Sequence, residues 1–428
     1  MQVTLHTPAP HGTLRAFPSK SEAHRYLICA ALANAPTQIA CDATNDDMDA
    51  TVECLCALGA QIARTEDGFA VTPITTSPAH AELDVRESGS TLRFLLPVVA
   101  ALGTHARITR RGRLPERPLA PLDALLTEHG ARMENADVLD ISGQLSGSEY
   151  AIAANISSQF ISGLLFALPL LNLDADCTVR LIGQIESRPY LDMTLGALAT
   201  FGIHVREQDG VLTIPAHSRY HSPGNLIVGG DWSGAAAFAC MGAVGPHPIT
   251  LTGLDPHSAQ GDRAVLDVLS RMGAQITVTP TDITVTPTDI TVTPAPLHGV
   301  EINAAHIPDL VPVLAATAAL ANGTTRISGA ARLRIKESDR LATTTAVLRT
   351  LGADVTETDD GLIIAGKPAL SGGTVESFGD HRIAMTAAVA SLGCTGAVTV
   401  DSAQSVAKSY PTFWEQLSAL CDPNSVVF

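Results

Sequence analysis

The segment Val347-Leu-Arg-Thr-Leu-Gly352-Ala353 predicts the end of an apolar helix and the beginning of a strand. Glycine adopts the left-handed backbone conformation that closes many helices. The same arrangement, an apolar helical stretch and a bulky residue followed by glycine, occurs at four earlier positions: Gly59, Gly130, Gly202 and Gly273. The five glycines lie 71, 72, 71 and 79 residues apart. A period of about 71 residues indicates an internal repeat, and the 428 residues hold about six copies.

Each repeat contains more than the marked helix. Another strand and another helix precede it, and a hairpin follows, marked in three repeats by Asp67-Gly68, Asp209-Gly210 and Asp360-Gly361. The predicted unit is therefore βαβαββ, which alone is small for a stable core. Six units predict an α/β protein with two domains of three units each, in which the helices lie inside and the sheets surround them.

Composition limits the class of protein. A hydrophobic fraction of 46% and a charged fraction of 16% predict an ordered protein with a large core. The formal charge of −16 argues against a surface for nucleic acid or anionic membrane. The eight cysteines lack the spacing of metal ligands, so we expect mostly buried thiols in a reducing compartment and no metal. Without a leader-like start or a membrane-length apolar run, the expected protein is soluble and cytoplasmic.

Two clusters of charged residues precede apolar helices at similar points of two repeats. One is Leu333–Arg340, Leu-Arg-Ile-Lys-Glu-Ser-Asp-Arg, and the other is Asp380-His381-Arg382. A helix predicted to begin near Glu337 would place Lys336 and Arg340 around free backbone N–H groups, which attract anions. One such run is typical of a solvated helix start. Two at matching positions suggest a shared site.

Polar helix starts also occur in the first half of the chain. The residues concerned are Lys20, Ser21 and Arg25 after a predicted N-cap at Ser19; Gly89 before Arg93; Ser157, Ser158 and Gln159; and Ser187 with Tyr190. Serine hydroxyls and free N–H groups at such starts can hold a phosphate. A capped surface helix is the simpler interpretation of the start at Ser19, whereas capping explains only one of the three polar residues Ser157, Ser158 and Gln159.

Three other features have two interpretations or no predicted catalytic role. Four arginines in one short segment favour either an anion pocket or a solvated loop: Arg110, Arg111, Arg113 and Arg117. Asp309 precedes an apolar helix and is either its cap or a general base. The Thr-Pro repeat at residues 276–294 predicts an extended hairpin or a surface duplication without a catalytic role.

Together, these segments resemble the 5-enolpyruvylshikimate-3-phosphate synthase family of enolpyruvyl transferases over essentially the whole chain. The most specific are Ser19-Lys-Ser with Arg25, Glu116-Arg-Pro118, Ser157-Ser-Gln-Phe160, Arg334–Arg340 and Asp380-His-Arg382. The resemblance implies a two-domain inside-out barrel of three βαβαββ units per domain. One domain would span residues 19–229, and residues 1–18 with 230–428 would form the other. The hinge crossovers would lie near 17–19 and 227–231, with the ligands in the cleft.

The resemblance also implies a reaction. The enolpyruvyl group of phosphoenolpyruvate moves to the 5-hydroxyl of shikimate 3-phosphate by addition and elimination through a tetrahedral intermediate, which releases phosphate. The reaction needs a base, an acid and cations for the substrate anions, but no metal or other cofactor. The expected partners are these two small molecules, without nucleic acid or membrane, and the expected state is a monomer.

By resemblance, individual residues receive roles. The catalytic candidates are Asp309, Glu337 and Lys20. The implied shikimate 3-phosphate contacts are Lys20, Ser21, Arg25, Ser157, Ser158, Gln159, Ser187, Tyr190, Asp309 and Lys336. The implied phosphoenolpyruvate contacts are Lys20, Gly89, Arg117, Gln159, Arg340, Arg382 and Lys408, with Asp380 and His381 supporting Arg382.

The sequence departs from the family pattern in places, and two alternatives remain. Glu87-Ser-Gly-Ser90 stands where Asn-Ala-Gly-Thr is frequent, Phe94 where proline is common, and Arg332 where some members have asparagine. A UDP-N-acetylglucosamine enolpyruvyl transferase would usually have asparagine at Ser21 and a cysteine within residues 110–118, which this chain lacks. A non-catalytic scaffold of the same fold is the other alternative.

Overall fold

A computed structural model describes residues 1–280 and 288–428. The strands are β1 (Gln2–Leu5), β2 (Gly12–Arg15), β3 (Thr37–Ala40), β4 (Gln61–Arg64), β5 (Gly68–Thr72), β6 (His80–Asp84), β7 (His105–Thr109), β8 (Ala131–Asn135), β9 (Val138–Gly143), β10 (Glu149–Ala153), β11 (Cys177–Ile182), β12 (Arg206–Gln208), β13 (Val211–Ile214), β14 (Asn225–Ile227), β15 (Ile249–Leu254), β16 (Gln275–Pro280), β17 (Thr288–Thr293), β18 (Glu301–Asn303), β19 (Thr324–Ser328), β20 (Asp354–Thr358), β21 (Gly361–Ala365), β22 (Gly373–Glu376), β23 (Val398–Asp401) and β24 (Val426–Val427).

The α-helices are α1 (Lys20–Ala31), α2 (Asp46–Ala57), α3 (Gly89–Leu102), α4 (Leu122–Glu128), α5 (Ser158–Ala167), α6 (Arg188–Thr200), α7 (Trp232–Val244), α8 (Val265–Met272), α9 (Val311–Ala319), α10 (Arg340–Thr350), α11 (His381–Ser391) and α12 (Phe413–Ala419). Short 3₁₀ helices are Leu114–Glu116, Leu168–Leu171, Gly261–Ala264, Pro308–Leu310, Ala331–Ile335 and Ala403–Lys408.

Across the described residues, the strands form six four-stranded sheets with one repeated topology. In the repeat from β18 to β21, β18 and β19 are parallel, β21 is antiparallel to β19, and β20 pairs with β21 as a hairpin. Helix α9 connects the two parallel strands and α10 leads to the hairpin. The predicted βαβαββ unit and the six copies are confirmed.

The chain forms two compact units. The continuous unit is Pro18–Val228, and the split unit combines Met1–Phe17 with Gly229–Phe428. Each contains three of the sheets: β14-β3-β5-β4, β6-β7-β9-β8 and β10-β11-β13-β12 in the continuous unit, and β16-β17-β15-β2, β18-β19-β21-β20 and β22-β23-β1-β24 in the split unit.

Three sheets include a strand that is distant in sequence. Strand β1 lies between β23 and β24 and pairs Gln2 with Asp401 and Thr4 with Val427. Strand β2 joins β15 in parallel, and β14 joins β3 in parallel. Strands β2 and β14, which lie near the two places where the chain passes from one unit to the other, are therefore held in sheets.

The glycine repeat marks helix ends, as predicted. Gly59, Gly130, Gly202, Gly273 and Gly352 all have positive φ angles, between 83° and 109°. In this region a side chain would be strained, whereas glycine is tolerated. The three Asp-Gly pairs join antiparallel strands as predicted.

Helices fill the interior of each unit. In the split unit, α7, α9 and α11 pack on one another, and residues 232–243 of α7 are all buried. In the continuous unit, α3 packs on α5, and α5 on α6. Small residues such as Ala235, Ala236 and Gly242 allow this close packing.

Two remaining predictions concern the hairpin and the thiols. Strands β16 and β17 pair antiparallel, as the Thr-Pro repeat predicts, and residues 281–287 of that repeat lie outside the described residues. The eight cysteines are free thiols, of which Cys56 is exposed, Cys421 is partly buried and six are buried.

In the part of the chain that the structure describes, no helix combines the length and apolar character needed to cross a membrane.

Candidate active site

The start of α1 carries a buried ion pair. Ser19 caps the helix as predicted, since its Oγ accepts a hydrogen bond from the Glu22 N–H at 3.3 Å. Lys20 Nζ donates to Asp47 Oδ2 at 2.9 Å, and both side chains are mostly buried. Asp47 lies on α2, so the pair fixes the lysine between two helix starts.

Arg25 is buried in the continuous unit and joins three helices. Its Nε donates to Thr194 Oγ1 at 2.9 Å, and its Nη2 donates to the Tyr190 carbonyl at 2.8 Å, both on α6. Thr194 Oγ1 lies 2.7 Å from Ser162 Oγ on α5. Burial lowers the pKa of Arg25 to about 10, which leaves the group charged at neutral pH.

The predicted serine residues lie at the starts of helices in the same unit. Ser157 caps α5 through a hydrogen bond from the Gln159 N–H, and Ser158 is the first residue of that helix. Ser187 precedes α6 with a φ of 52°, and its carbonyl accepts from the Tyr190 N–H. Arg25 thus contacts the first turn of α6 at Tyr190 and, through Thr194, is linked to Ser162 of α5.

Gly89, the first residue of α3, lies against two arginines. A Cβ atom at this position would lie 2.6 Å from Arg93 Nη1 and 2.8 Å from Arg117 Nη1. Gln159 Oε1 accepts from Arg93 Nη1 at 3.2 Å, and its Nε2 donates to Ser90 Oγ at 3.0 Å. Glycine therefore allows two buried guanidinium groups to approach the start of a helix.

Arg93 was not among the predicted site residues. The available signal was its place in the first turn of a helix that begins with small residues, and the structure shows it 3% exposed beside Gly89. Of the two interpretations of the four arginines, a single anion pocket is wrong, because the structure separates them. Arg111 is exposed and pairs with Asp84, and Arg113 is exposed near Glu116. Arg110 bonds the Ala136 carbonyl, so Arg117 alone of the four lies beside Gly89.

Arg340 is the centre of the charged cluster in the split unit. Its Nε and Nη2 donate to both oxygens of Asp380, at 2.8 and 3.1 Å. Its Nη1 donates to Asp309 Oδ1 at 2.9 Å, and its Nη2 lies 2.8 Å from Glu337 Oε2. Burial would lower the pKa of Arg340, but these three carboxylates raise it above its usual range. The arginine thus holds three acids in one arrangement.

Asp309 is not a helix cap. It lies in the 3₁₀ turn Pro308–Leu310, with Arg340 at 2.9 Å, Arg382 at 3.8 Å and Lys336 at 3.9 Å from its oxygens. Burial raises its pKa, but Lys336, Arg340 and Arg382 outweigh burial and lower the pKa well below the usual range. The carboxylate is therefore held ionised among these three cations, and Leu310, not Asp309, is the N-cap residue of α9.

The helix predicted to begin near Glu337 begins at Arg340. Asp339 is the N-cap and accepts from the Ala342 N–H at 3.2 Å, because its short carboxylate reaches a free donor of the first turn. Lys336 and Glu337 therefore lie in the connection before α10. Arg334 pairs with Asp339 and Glu357, so it stabilises the adjoining hairpin instead of joining the cluster.

Arg382 and Lys408 complete the cations of the split unit. Asp380 caps α11 through a hydrogen bond from the Arg382 N–H at 2.9 Å. The Arg382 Nη groups donate to the carbonyl and hydroxyl oxygens of Ser233, at the start of α7, and the side chain is 3% exposed. Lys408 Nζ donates to the Gly379 carbonyl at 2.6 Å. His381 Nδ1 lies 3.8 Å from Asp380.

The charged side chains of the two units determine which ligands and which kind of reaction they can support. Each unit holds cations at helix starts, which favours anionic ligands. The split unit adds Asp309, held ionised, and Glu337, held by the same arginine, so two carboxylates are available for proton transfer. Within the described residues, no group of three His, Cys, Asp or Glu side chains is placed to hold a metal ion.

Comparisons with known proteins agree with this fold. The chain matches the family model described as EPSP synthase (3-phosphoshikimate 1-carboxyvinyltransferase) over residues 7–417. Proteins named 3-phosphoshikimate 1-carboxyvinyltransferase are similar to it. The one from Clostridium kluyveri is 39% identical over 98% of this chain and 97% of its own length. The one from Methanocorpusculum labreanum is 36% identical over 96% of each.

Solved structures give the same result. EPSP synthase from Acinetobacter baumannii has a TM-score of 0.81 and 26% identity, covering 98% of both chains. The enolpyruvyl transferase NikO from Streptomyces tendae has a TM-score of 0.76, and its 19% identity shows the shared fold alone. The fold is thus that of the enolpyruvyl transferases. The chain belongs to the EPSP synthase family, and the fold and family predicted from its sequence are confirmed.

Proposed function

We propose that this protein transfers the enolpyruvyl group of phosphoenolpyruvate to the 5-hydroxyl of shikimate 3-phosphate, releasing phosphate. The observation that carries the proposal is the pair of carboxylates Asp309 and Glu337, both bonded to the buried Arg340. Membership of the EPSP synthase family supports it. The proposed partners are the two small-molecule substrates, and the proposed state is a cytoplasmic monomer without nucleic acid.

The continuous unit supplies the proposed contacts to shikimate 3-phosphate. Arg25 and the starts of α1, α5 and α6 provide cations, hydroxyls and free N–H groups, which suit a phosphate and a carboxylate. The proposed contacts are Lys20, Ser21, Arg25, Ser157, Ser158, Gln159, Ser187 and Tyr190, with Asp309 and Lys336 from the split unit. The assignment of both units to one reaction rests on the family resemblance.

The proposed phosphoenolpyruvate contacts are cationic. They are Lys20, Gly89, Arg117, Gln159, Arg340, Arg382 and Lys408. The substrate phosphate and carboxylate are anions, and arginine forks bind such groups with two parallel hydrogen bonds. The proposed domains keep their predicted bounds of 19–229 and of 1–18 with 230–428, and the proposed crossovers lie near 17–19 and 227–231.

The proposed proton transfers divide between the two acids. Asp309, held ionised by three cations, takes the proton of the attacking hydroxyl, and Glu337 in its protonated form gives its proton to the methylene carbon. In the elimination, Glu337 takes a proton back from the new methyl group, and the phosphate leaves with the proton that Asp309 accepted. Bound substrate anions would neutralise the cations around Asp309, which makes its carboxylate a better base when both substrates are present. Lys20, paired with Asp47 in the continuous unit, is the third candidate for proton transfer.

The test is phosphate release from phosphoenolpyruvate with shikimate 3-phosphate as acceptor and UDP-N-acetylglucosamine as the control acceptor. Release with shikimate 3-phosphate alone supports the proposal. Release with the nucleotide sugar would assign the protein to the rival transferase reaction. No release with either acceptor from folded protein would favour a non-catalytic scaffold.

The residue roles have a separate test. Asp309→Asn and Glu337→Gln are expected to lower kcat by at least about a hundredfold, the usual contribution of a general acid or base. Turnover at the wild-type rate by either variant would refute its proposed role.

A further inference from the structure

A buried chain of hydrogen bonds joins the starts of three helices in the continuous unit. His24 Nδ1 lies 2.7 Å from Thr51 Oγ1, which lies 2.7 Å from Thr91 Oγ1. Thr91 Oγ1 in turn lies 2.7 Å from Ser88 Oγ. The side chains come from α1, α2 and the first turn and N-cap of α3, and none is more than 1% exposed.

In one direction of this hydrogen-bond chain, each hydroxyl hydrogen has an acceptor within the chain, and Thr51 and Thr91 can also donate to the Asp47 carbonyl, at 3.3 and 3.5 Å. Thr91 donates to Ser88, Thr51 donates to Thr91, and His24 Nδ1–H donates to Thr51. The His24 tautomer follows from this accounting. Among the described residues, His24 Nε2 has no hydrogen-bond partner, so a hydrogen there would be an unpaired buried donor.

The surroundings of His24 keep it neutral. Burial lowers its pKa well below the usual value, and the nearby cations Lys20 and Arg25 lower it further. The Phe94 ring packs edge-on against the imidazole, with the ring centres 6.4 Å apart. Phe94 is one of the departures from the family pattern, and here it forms one wall of the histidine site.

Helices α1 and α2 are fixed by two contacts at successive turns. Lys20 lies one turn before His24 on α1, and Asp47 lies one turn before Thr51 on α2. The ion pair between Lys20 and Asp47 and the hydrogen bond between His24 and Thr51 therefore run in parallel. The hydrogen bond between His24 and Thr51 therefore sets the distance between α1 and α2 at which Lys20 and Asp47 form their ion pair.

The start of helix α3, around Gly89, is held by two hydrogen bonds from Thr91 to Ser88 Oγ. Ser88 and Thr91 flank this glycine, and Ser88 Oγ also accepts from the Thr91 N–H as the helix cap. The position of this turn decides where the α3 start lies relative to Arg93 and Arg117, whose guanidinium nitrogens crowd the glycine.

We propose that His24, Thr51, Thr91 and Ser88 are positioning residues for phosphoenolpyruvate binding, an inference that rests on the proposed function. They hold the helix starts that carry Lys20 and Gly89 at a fixed separation. Polar groups at a fully buried site cost desolvation energy that apolar residues of similar size would avoid. A connected chain of hydrogen bonds, however, sets a specific register between helices, which apolar packing does less strictly.

The histidine is tested with two variants of nearly equal shape. In His24→Asn, the amide nitrogen is as many bonds from Cα as Nδ1 and can donate to Thr51. His24→Leu has the same branching without a donor. We expect the leucine variant to raise KM for phosphoenolpyruvate about three- to tenfold, the effect of one hydrogen bond, and to raise it more than KM for shikimate 3-phosphate, because Gly89 is a proposed contact of phosphoenolpyruvate alone. The asparagine variant is expected to match the wild type.

The hydroxyls are tested with Thr91→Val, for which Thr317→Val is the matched control. Thr317 is equally buried, but its hydroxyl bonds the Val313 carbonyl within helix α9. Thr91→Val is expected to raise KM for phosphoenolpyruvate as His24→Leu does. The double variant His24→Leu with Thr91→Val is expected to raise this KM no further than either single variant, because both changes break the same chain of hydrogen bonds. The control is expected to leave both KM values unchanged.

Several outcomes would overturn the proposal. The proposal is wrong if the Asn and Leu variants have equal KM values for phosphoenolpyruvate. It is also wrong if the effects on KM are additive in the double variant, or if the variants lose stability without a change in KM. An inactive wild-type enzyme would refute the proposed function and with it the binding role. Urea unfolding of the same variants would then still decide whether His24 and Thr91 are energetically coupled, because that measurement needs no substrate.

Discussion

At the scale of single residues, Gly89 shows how one missing side chain shapes the site. Its hydrogen atom lies where a Cβ would meet two guanidinium nitrogens, at 2.6 and 2.8 Å. These are the far ends of flexible side chains, so a larger residue would displace the cations and leave the backbone in place.

Gly89→Ala is therefore expected to preserve the fold and to raise KM for phosphoenolpyruvate at least about tenfold, the loss of one charge-assisted hydrogen bond. Gly196→Ala is the control, because that glycine is exposed on α6 and a Cβ there would meet nothing within 4 Å. The control is expected to gain about 0.5 to 1 kcal/mol of stability with unchanged kinetics. Wild-type KM in Gly89→Ala would show that Arg93 and Arg117 do not contribute.

Asp309 predicts a pH dependence of stability. Its pKa is lower in the folded protein than the usual 3.8, so its stabilising effect is complete above that value and is lost as the pH falls below it. Asp309→Asn is expected to cost about 2 kcal/mol near pH 7, as hydrogen bonds to charged groups do. The difference from the wild type should begin to shrink as the pH falls through about 4, where the unfolded carboxyl titrates, and should go on shrinking at lower pH, because the folded pKa lies well below that value.

Urea unfolding across this pH range measures the difference. The exposed Asp354→Asn is the matched control, for which we expect little effect at any pH. A constant difference between wild type and Asp309→Asn at all pH values would contradict the assignment of Lys336, Arg340 and Arg382 as its partners.

The residue types of the site could be predicted from the sequence, whereas the directions of their side chains could not. Arg110 and Arg111 are adjacent at the end of β7, and neighbours in an extended chain point to opposite sides. One is buried and the other pairs with Asp84 at the surface. Likewise, the charge pattern around Glu337 did not show that Asp339 would cap the helix.

At the scale of elements, the glycine repeat predicts much of the fold because it marks a local event. Each marked glycine ends a helix with a positive φ, which depends on neighbouring residues alone. The pairing of β1 with β23 and β24 joins residues 399 positions apart, Gln2 and Asp401, and 423 apart, Thr4 and Val427, which a local pattern cannot show. Yet β1 is an interior strand of its sheet, and its inward side chains, Val3 and Leu5, are fully buried.

Leu5→Ala is thus expected to destabilise the protein by about 2 to 5 kcal/mol, as for other buried leucines, despite its place near the start of the chain. Gln2→Ala, at an exposed position of the same strand, is the control and is expected to change stability by about 0.5 kcal/mol or less. Chemical denaturation measures both. A small effect of Leu5→Ala would show that β1 contributes little to this sheet.

At the scale of the whole molecule, the cysteines report on folding of both units. Six thiols are buried, and burial raises the pKa of Cys54 and Cys177 to about 12. The thiolate is the reactive form, so these groups are doubly protected. Cys56 is exposed, and partial burial raises the pKa of Cys421 to about 11.

A thiol reagent such as Ellman's reagent is expected to modify Cys56 first and Cys421 slowly in the native protein. All eight thiols should react after denaturation. Cys56→Ser should remove the rapid phase and leave the rest unchanged. Rapid reaction of three or more native thiols would contradict the described packing.

The split unit has a consequence for the order of folding. A ribosome delivers the whole of Pro18–Val228 before the second part of the split unit emerges, so the continuous unit can fold while synthesis continues. Strand β1 leaves the ribosome before the continuous unit, but its partners β23 and β24 follow only after that unit. Contacts between such distant segments slow folding because a long loop must close first. The sheet that contains Asp401 can therefore form only after the whole continuous unit has been made, and until then Val3 and Leu5 of β1 lack the strands that bury them.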